Sequence, residues 1–159
     1  MKGPAIVLVR PQLAENIGMA ARAMLNCGLD DLRLVRPRVE ATDERALRAC
    51  SGADRVLEAA RVFDDVAAAV ADLKRVYATC PRERDMVKPA LSPAEAVREA
   101  AQNLAGGAGA GFLFGPERTG LENDEVTLAD ALVPIPGQPD DNALNLAPAE
   151  HVDRYDWKT

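Results

Sequence analysis

A chain of 159 residues is long enough for one ordinary domain built around a single core. With 48% hydrophobic and 28% charged residues it is neither disordered nor of low complexity, and its longest apolar run, Val66 to Ala71, is far too short to span a bilayer. A net charge of -6 excludes a general polyanion binder but permits a local basic face.

The apolar pattern alternates between strand-like runs and helix-like stripes, which predicts an α/β layer fold in one domain spanning residues 1–159. Ala5 to Val9 reads as a strand buried on both faces, and Glu15 to Cys27 as a helix with Ile17, Ala20, Ala21, Met24 and Leu25 on its apolar stripe. Gly28 suits the left-handed residue that ends it. Leu32 to Val35 is the second strand, stopped by Pro37. A helix from Thr42 to Cys50 follows, capped by Thr42 with Arg45 pairing into its first turn. Val62-Phe63 is predicted as a short strand, Asp64 to Leu73 as an alanine-rich helix and Arg75 to Thr79 as a strand. Ser92, Pro93 and Glu95 open a helix that runs to about Leu104. Ala105 to Ala110 reads as a flexible connection into the strand Gly111 to Phe114; Ala131 to Ile135 is the last strand and Leu144 to Tyr155 a final helix.

Lys2 precedes only Ala5 to Val9 before Arg10 interrupts, which is no signal peptide. Cys27, Cys50 and Cys80 lack the spacing of a zinc site or a disulfide framework, so a cytoplasmic protein without a metal is expected.

Three segments hold residues that are poor choices for a core and sit at strand ends, where open α/β sheets place their ligands. In Asn16 to Arg22, Gly18 and the alanines keep a helix slim enough for close approach of another backbone or a ligand. Phe114 to Leu121 is a loop in which Gly115 and Gly120 permit positive φ and Glu117-Arg118 put opposite charges at the tip; it has neither a P-loop lysine nor dinucleotide spacing. Val133 to Ala147 is a proline-stiffened loop leading into Leu144-Asn145-Leu146. Each also admits a plain reading, as a tightly packed helix, a surface turn and a surface loop.

Together and in this order the segments resemble the knotted SPOUT methyltransferases, in the TrmJ-like branch that methylates tRNA ribose 2′-hydroxyls. The resemblance runs from Ile6 to Trp157 and is carried by Pro11 to Met24, Gly115 to Asn123 and Leu144 to Ala147, with Ser51 to Asp54 and Arg82 to Pro89 also familiar in the branch. It implies a mostly parallel sheet with helices on both faces, a deep C-terminal trefoil knot, a homodimer, and S-adenosylmethionine as cofactor. The cofactor is expected at Thr79, Cys80, Pro81, Gly115, Ile135, Asn142, Ala143 and Leu144. Asn16, Arg22, Glu117 and Asn145 match positions that the family associates with the reaction. The implied substrate is a cytidine or uridine of a tRNA anticodon loop. Arg10, Arg82, Arg84, Lys88 and Arg118, with Arg33 and Arg36, are expected to meet the RNA.

The third segment departs from the branch, which usually has an aromatic residue and two serines where this chain has Asp141, Asn142 and Ala143. Its expected last helix carries Pro148, Glu150, His151, Asp153 and Arg154 in place of an apolar stripe, and the domain is expected to lack the helical extension usual in the branch, as a short form or a fragment. The alternative reading is therefore a SPOUT dimer that binds cofactor or RNA without turnover.

Overall fold

In the computed structural model, which describes residues 3–80, 88–116 and 119–134, twelve elements alternate along the chain. They are β1 (Ala5–Val9), α1 (Ala14–Asn26), β2 (Leu32–Val35), α2 (Glu44–Ala49), α3 (Asp54–Glu58), β3 (Arg61–Phe63), α4 (Val66–Ala69), β4 (Arg75–Cys80), α5 (Pro93–Ala105), β5 (Ala110–Phe114), α6 (Asn123–Thr127) and β6 (Ala131–Pro134). The six strands form one sheet in the order β3-β2-β1-β5-β4-β6, every pairing parallel. The α/β fold class is thus as expected; the knot and the last helix fall on residues outside those described.

Both faces of the sheet are covered, so the strand side chains divide between two apolar layers. Ile6, Leu8, Leu32, Leu34, Phe112 and Phe114 pack beneath α1, α2, α3 and α5. Val7, Val9, Val35, Leu113 and Leu132 pack beneath α4 and α6. Each fully buried aliphatic side chain contributes about 1.5–3 kcal/mol to holding these layers. Tyr77 stacks on Phe112 with ring centroids 5.0 Å apart, and its hydroxyl donates to Glu99 Oε1 of α5 at 2.8 Å. Burial, then that carboxylate, pushes the Tyr77 phenol up in pKa. Arg75 also donates to Glu99, at 2.7 Å, and holds its carboxyl below the ordinary value.

The closest helix contact is between α1 and α2. A Cβ on Gly18 would lie 2.3 Å from the Ala46 carbonyl oxygen and 2.8 Å from Ala49 Cβ, so the expected close approach is made by another backbone.

Several local features differ from expectation. Asp43, not Thr42, caps α2: its Oδ1 accepts from the Arg45 backbone N–H at 2.9 Å and from Arg45 Nε at 3.1 Å. An aspartate is the better cap here because its charged oxygens serve both groups. The predicted helix over 64–73 shrinks to Val66–Ala69, capped by Asp65, and Ala69 O is taken by Arg33. The glycine-rich connection after α5 is tied down, since Gly109 O accepts from the N–H groups of Lys74 and Arg75 at 2.9 and 3.2 Å. Helices α3 and α6 were not foreseen. Gly28 does take the left-handed conformation, at φ 78°.

Arg33 requires a larger correction. It is 3% exposed and lies on the α4 side of the sheet near its amino edge, so it adds nothing to an RNA-facing surface. Its guanidinium donates to Asp72 at 2.6 and 3.0 Å, to Asp31 at 2.8 and 3.1 Å and to Ala69 O at 2.7 Å. Burial alone would raise the Asp31 pKa, but hydrogen bonds from Arg33 and Arg61 outweigh it and hold the carboxyl below its ordinary value. Asp72 is lowered mainly by Arg33.

Two outcomes follow. Gly18→Ala, which in an open helix would gain about 1 kcal/mol, will instead destabilise by about 1–3 kcal/mol, read as a lower midpoint in urea. Arg33→Met will cost about 3 kcal/mol at pH 7, because it strands a half-buried carboxylate. Carboxylates whose folded pKa is depressed contribute stability that is full above the unfolded value, near 4, and is lost as pH falls through the lower folded value. The gap between wild type and Arg33→Met will therefore narrow below about pH 4 in urea titrations.

Candidate functional site

Strand order reverses between β1 and β5, which makes the carboxyl edge of that pair the topological switch point where α/β sheets bind ligands. The register brings the relevant segments out side by side. Leu8 pairs with Phe114, Val9 with Val35, Ala78 with Leu113 and Cys80 with Pro134. Arg10, Arg36 and Gly115 therefore leave the sheet on the same edge as Thr79-Cys80 and the end of β6. A cleft of about 440 Å³ opens there, lined by Arg10, Gln12, Arg36, Arg38, Thr119 and Glu122 among others.

The walls of this cleft are built from two sharp turns. Arg10 and Arg36, each the residue after its strand, have φ of 48° and 45°, a left-handed conformation that costs a side-chain-bearing residue about 1–2 kcal/mol. Main-chain bonds hold both turns: Arg10 N–H donates to Val35 O at 2.7 Å, Arg36 N–H to Phe63 O at 3.0 Å and Arg38 N–H to Pro11 O at 3.0 Å.

Asn16 stands in the first turn of α1, 3% exposed. Its Nδ2 is the one buried side-chain nitrogen or oxygen without a hydrogen-bond partner among the described residues. A buried donor in that condition costs about 1–3 kcal/mol, and such groups concentrate at functional sites. Arg22, also on α1, is exposed, so the structure separates this pair into an inward and an outward group. Thr79 is buried, with Oγ1 donating to Leu113 O at 2.8 Å across β4 and β5, and Cys80 is buried beside it. Gly115 does not use positive φ, as Gly120 does at 72°. It needs the absence of a Cβ, which would meet Leu121 N at 2.5 Å and Gly120 C at 2.6 Å where the loop closes on itself.

The basic residues expected to meet RNA divide by what they already hold. Arg10 pairs with Glu125 Oε2 and lies 3.6 Å from Glu122 Oε1. Glu125, 9% exposed, uses its other oxygen to accept the Glu122 N–H at 2.7 Å, closing the start of α6. At the other end, Lys88 Nζ donates to Thr127 O at 3.1 Å and to Ala129 O at 2.6 Å. Both cations thus grip α6, the helix that follows the Gly115–Leu121 loop. Arg36 and Arg38 are exposed and make no ion pair with another described residue. Pro81, Arg82, Arg84, Glu117, Arg118, Ile135, Asn142, Ala143, Leu144 and Asn145 lie outside the described residues.

Sequence reading missed Arg38, Thr119 and the Glu122–Glu125 turn. The Arg36-Pro37-Arg38 triplet was the available signal for the first. A glutamate in the N-cap position hid the last, since that turn is usually recognised by serine or threonine. Arg10→Ala will leave a buried carboxylate oxygen without its partner and loosen α6. Hydrogen exchange will show faster amides over 122–129, with a loss of global stability near 2 kcal/mol.

Residues 3–153 match the model of the SpoU rRNA Methylase family. The tRNA (cytidine/uridine/adenosine-2′-O-)-methyltransferase TrmJ of Pseudomonas aeruginosa (strain UCBPP-PA14) is 38% identical over 151 residues, covering 95% of this chain and 58% of that protein. The crystal structure of TrmJ from Z. mobilis ZM4 is 51% identical with a TM-score of 0.82, covering 98% of this chain and 69% of that one. The SpoU methyltransferase AviRb from Streptomyces viridochromogenes, solved in complex with the cofactor AdoMet, shares the fold at 19% identity and a TM-score of 0.69, covering 96% of this chain and 57% of that one. This chain spans about three fifths of the length of the curated relatives it matches. A match over nearly the whole chain, on a parallel sheet with its glycine-bearing loop and Asn16 helix at the switch point, makes the chain a member of the SpoU rRNA Methylase family.

Proposed function

We propose that this chain is an S-adenosylmethionine-dependent tRNA ribose 2′-O-methyltransferase acting on a cytidine or uridine of the anticodon loop, as a homodimer in the cytoplasm. The observation that carries the reading is the gathering of three things at one sheet edge: the self-closed Gly115 loop, the Thr79-Cys80 strand end and the orphaned Asn16 amide. The likeness to the two TrmJ proteins supports it. The residues fit the cofactor in one testable respect. Its expected segments at Thr79, Cys80 and Gly115, and the strand leading to Ile135, leave three adjacent strands side by side. When bound, S-adenosylmethionine supplies a methyl group on a sulfonium.

The chain's own residues do the positioning, from which much of the acceleration of such a displacement comes. Arg22 orients the ribose and its adjacent phosphate with a planar fork, a role to which a guanidinium is better suited than to accepting a proton. Asn16 offers its spare N–H to the reacting groups, while Glu117 and Asn145 complete the set. Met19, 37% exposed three residues before Arg22, gives that face of α1 the apolar surface a second subunit would cover. The three cysteines are buried and none is in a disulfide, which suits a reducing compartment. No helix among the described residues is long and apolar enough to cross a membrane.

Calorimetric titration with S-adenosylhomocysteine, followed by a tritiated-methyl assay on unmodified tRNA, tests this. One site per subunit with micromolar or tighter affinity, together with 2′-O-methylated cytidine or uridine in the digest, is the expected result. Arg22→Ala will lose methylation by about 100-fold or more while keeping the cofactor isotherm. No heat, or an isotherm without any methylated nucleoside, overturns the enzyme reading.

A further inference from the structure

We infer that the cleft between the turns after β1 and β2 is a phosphodiester site, in which Arg36 and Arg38 hold a backbone phosphate of the RNA substrate. The inference rests on the RNA-methyltransferase reading above: it gives Arg36, already expected to meet RNA, a specific ligand, and adds Arg38, which that reading does not use.

Four observations converge. First, the charge in the cleft is unevenly spent. Of the three arginines among its described lining residues, Arg10 is committed to Glu125 and Glu122, whereas Arg36 and Arg38 are exposed and have no ion pair with a described residue. Glu122 is the one carboxylate among the described lining residues, and it faces Arg10. The free charge that the described residues bring to the cleft is therefore positive, in a chain of net charge -6.

Second, the two arginines are mounted rigidly. Arg36 sits at φ 45°, a conformation that glycine would adopt without strain, yet an arginine is kept there. Its N–H is bonded to Phe63 O, and the Arg38 N–H is bonded to Pro11 O, which ties the second turn to the first. Pro37 between them fixes its own φ. Guanidinium groups on so constrained a backbone lose less freedom when they bind.

Third, the cleft has a neutral donor of the right kind, the Thr119 hydroxyl on its wall. Phosphate oxygens accept from such groups as well as from arginine forks. Fourth, the position is suitable. The cleft lies at the switch point, on the Gly115–Leu121 loop and beside the turn that leads into α1. A nucleotide presented to that edge would bring a neighbouring phosphate over it.

The test compares wild type with the full-length double variant Arg36→Gly/Arg38→Ala. Glycine relieves the left-handed turn, so the charges are removed without adding strain. Unmodified tRNA is titrated by fluorescence anisotropy between 50 and 250 mM KCl, with an S-adenosylhomocysteine isotherm on each protein. The double variant is expected to lose roughly tenfold in tRNA affinity at low salt and about 0.7–0.9 in the slope of log K against log salt, with an unchanged isotherm. Arg98→Ala, on the exposed side of α5, is expected to leave the slope as it was. An unaltered slope in the double variant, beside a wild type that methylates tRNA, overturns the cleft alone. An equal loss in Arg98→Ala also overturns it, because the effect would then be one of general surface charge. A wild type that binds no tRNA at any salt overturns the RNA-methyltransferase reading and the cleft with it.

Discussion

β1 has a hydrogen-bonded neighbour on each edge and an apolar layer on each face. None of its five residues is exposed. A strand so enclosed has only its ends at which to offer polar groups to anything outside, and the reversal of strand order against β5 opens a crevice at its carboxyl end among the described elements. The rest of the arrangement answers to that constraint. The turn at Arg10, the entry to α1 with Asn16, and the loop at Gly115 are all exits from strands with no other route to the surface. Chemistry gathers at this edge because the core has no room for it.

Charge is distributed accordingly. On the amino side of the sheet, Arg33 is saturated by Asp31, Asp72 and a carbonyl, and Arg75 and Tyr77 share Glu99; these groups join layers and have little left for a ligand. On the carboxyl side, Arg10 and Lys88 secure a five-residue helix too short to hold itself. Among the described arginines that line the cleft, Arg36 and Arg38 then remain. An overall negative chain can present a local positive face there because the described carboxylate of the cleft faces Arg10, and the sum of charges says little about which cations are unpaired.

How much of this was legible in the residues depended on the range of the interaction. Continuous β-branched runs such as Ala5–Val9 announced strands buried on both sides, and Ser92-Pro93-Ala94-Glu95 announced the start of α5 with its capping box; each signal is local. Helix α6 was invisible because Asn123–Thr127 is short, mostly polar and opened by a glutamate. Arg33 was misread as a surface cation because its partner Asp72 is 39 residues away, and nothing near Leu32-Arg33-Leu34 marks it as buried. For the site, the motif order pointed to the ends of β1, β4 and β5, which the sheet brings to one edge. Which arginines were spent and which spare could not be read from spacing, since Glu125, which occupies Arg10, lies 115 residues away along the chain.

The contact between Gly18 and Ala46 has a further meaning for how this chain can change. Where a large side chain blocks a position, a smaller neighbour elsewhere restores the room, and the two sites drift together. Here the obstacle is a main-chain oxygen at 2.3 Å from where the Cβ would lie, and no replacement at position 46 removes it. Position 18 consequently has no single compensating partner. Libraries that recombine α1 and α2 from different homologues will retain glycine there regardless of what surrounds it, while Ala49, whose Cβ is the other neighbour, remains negotiable.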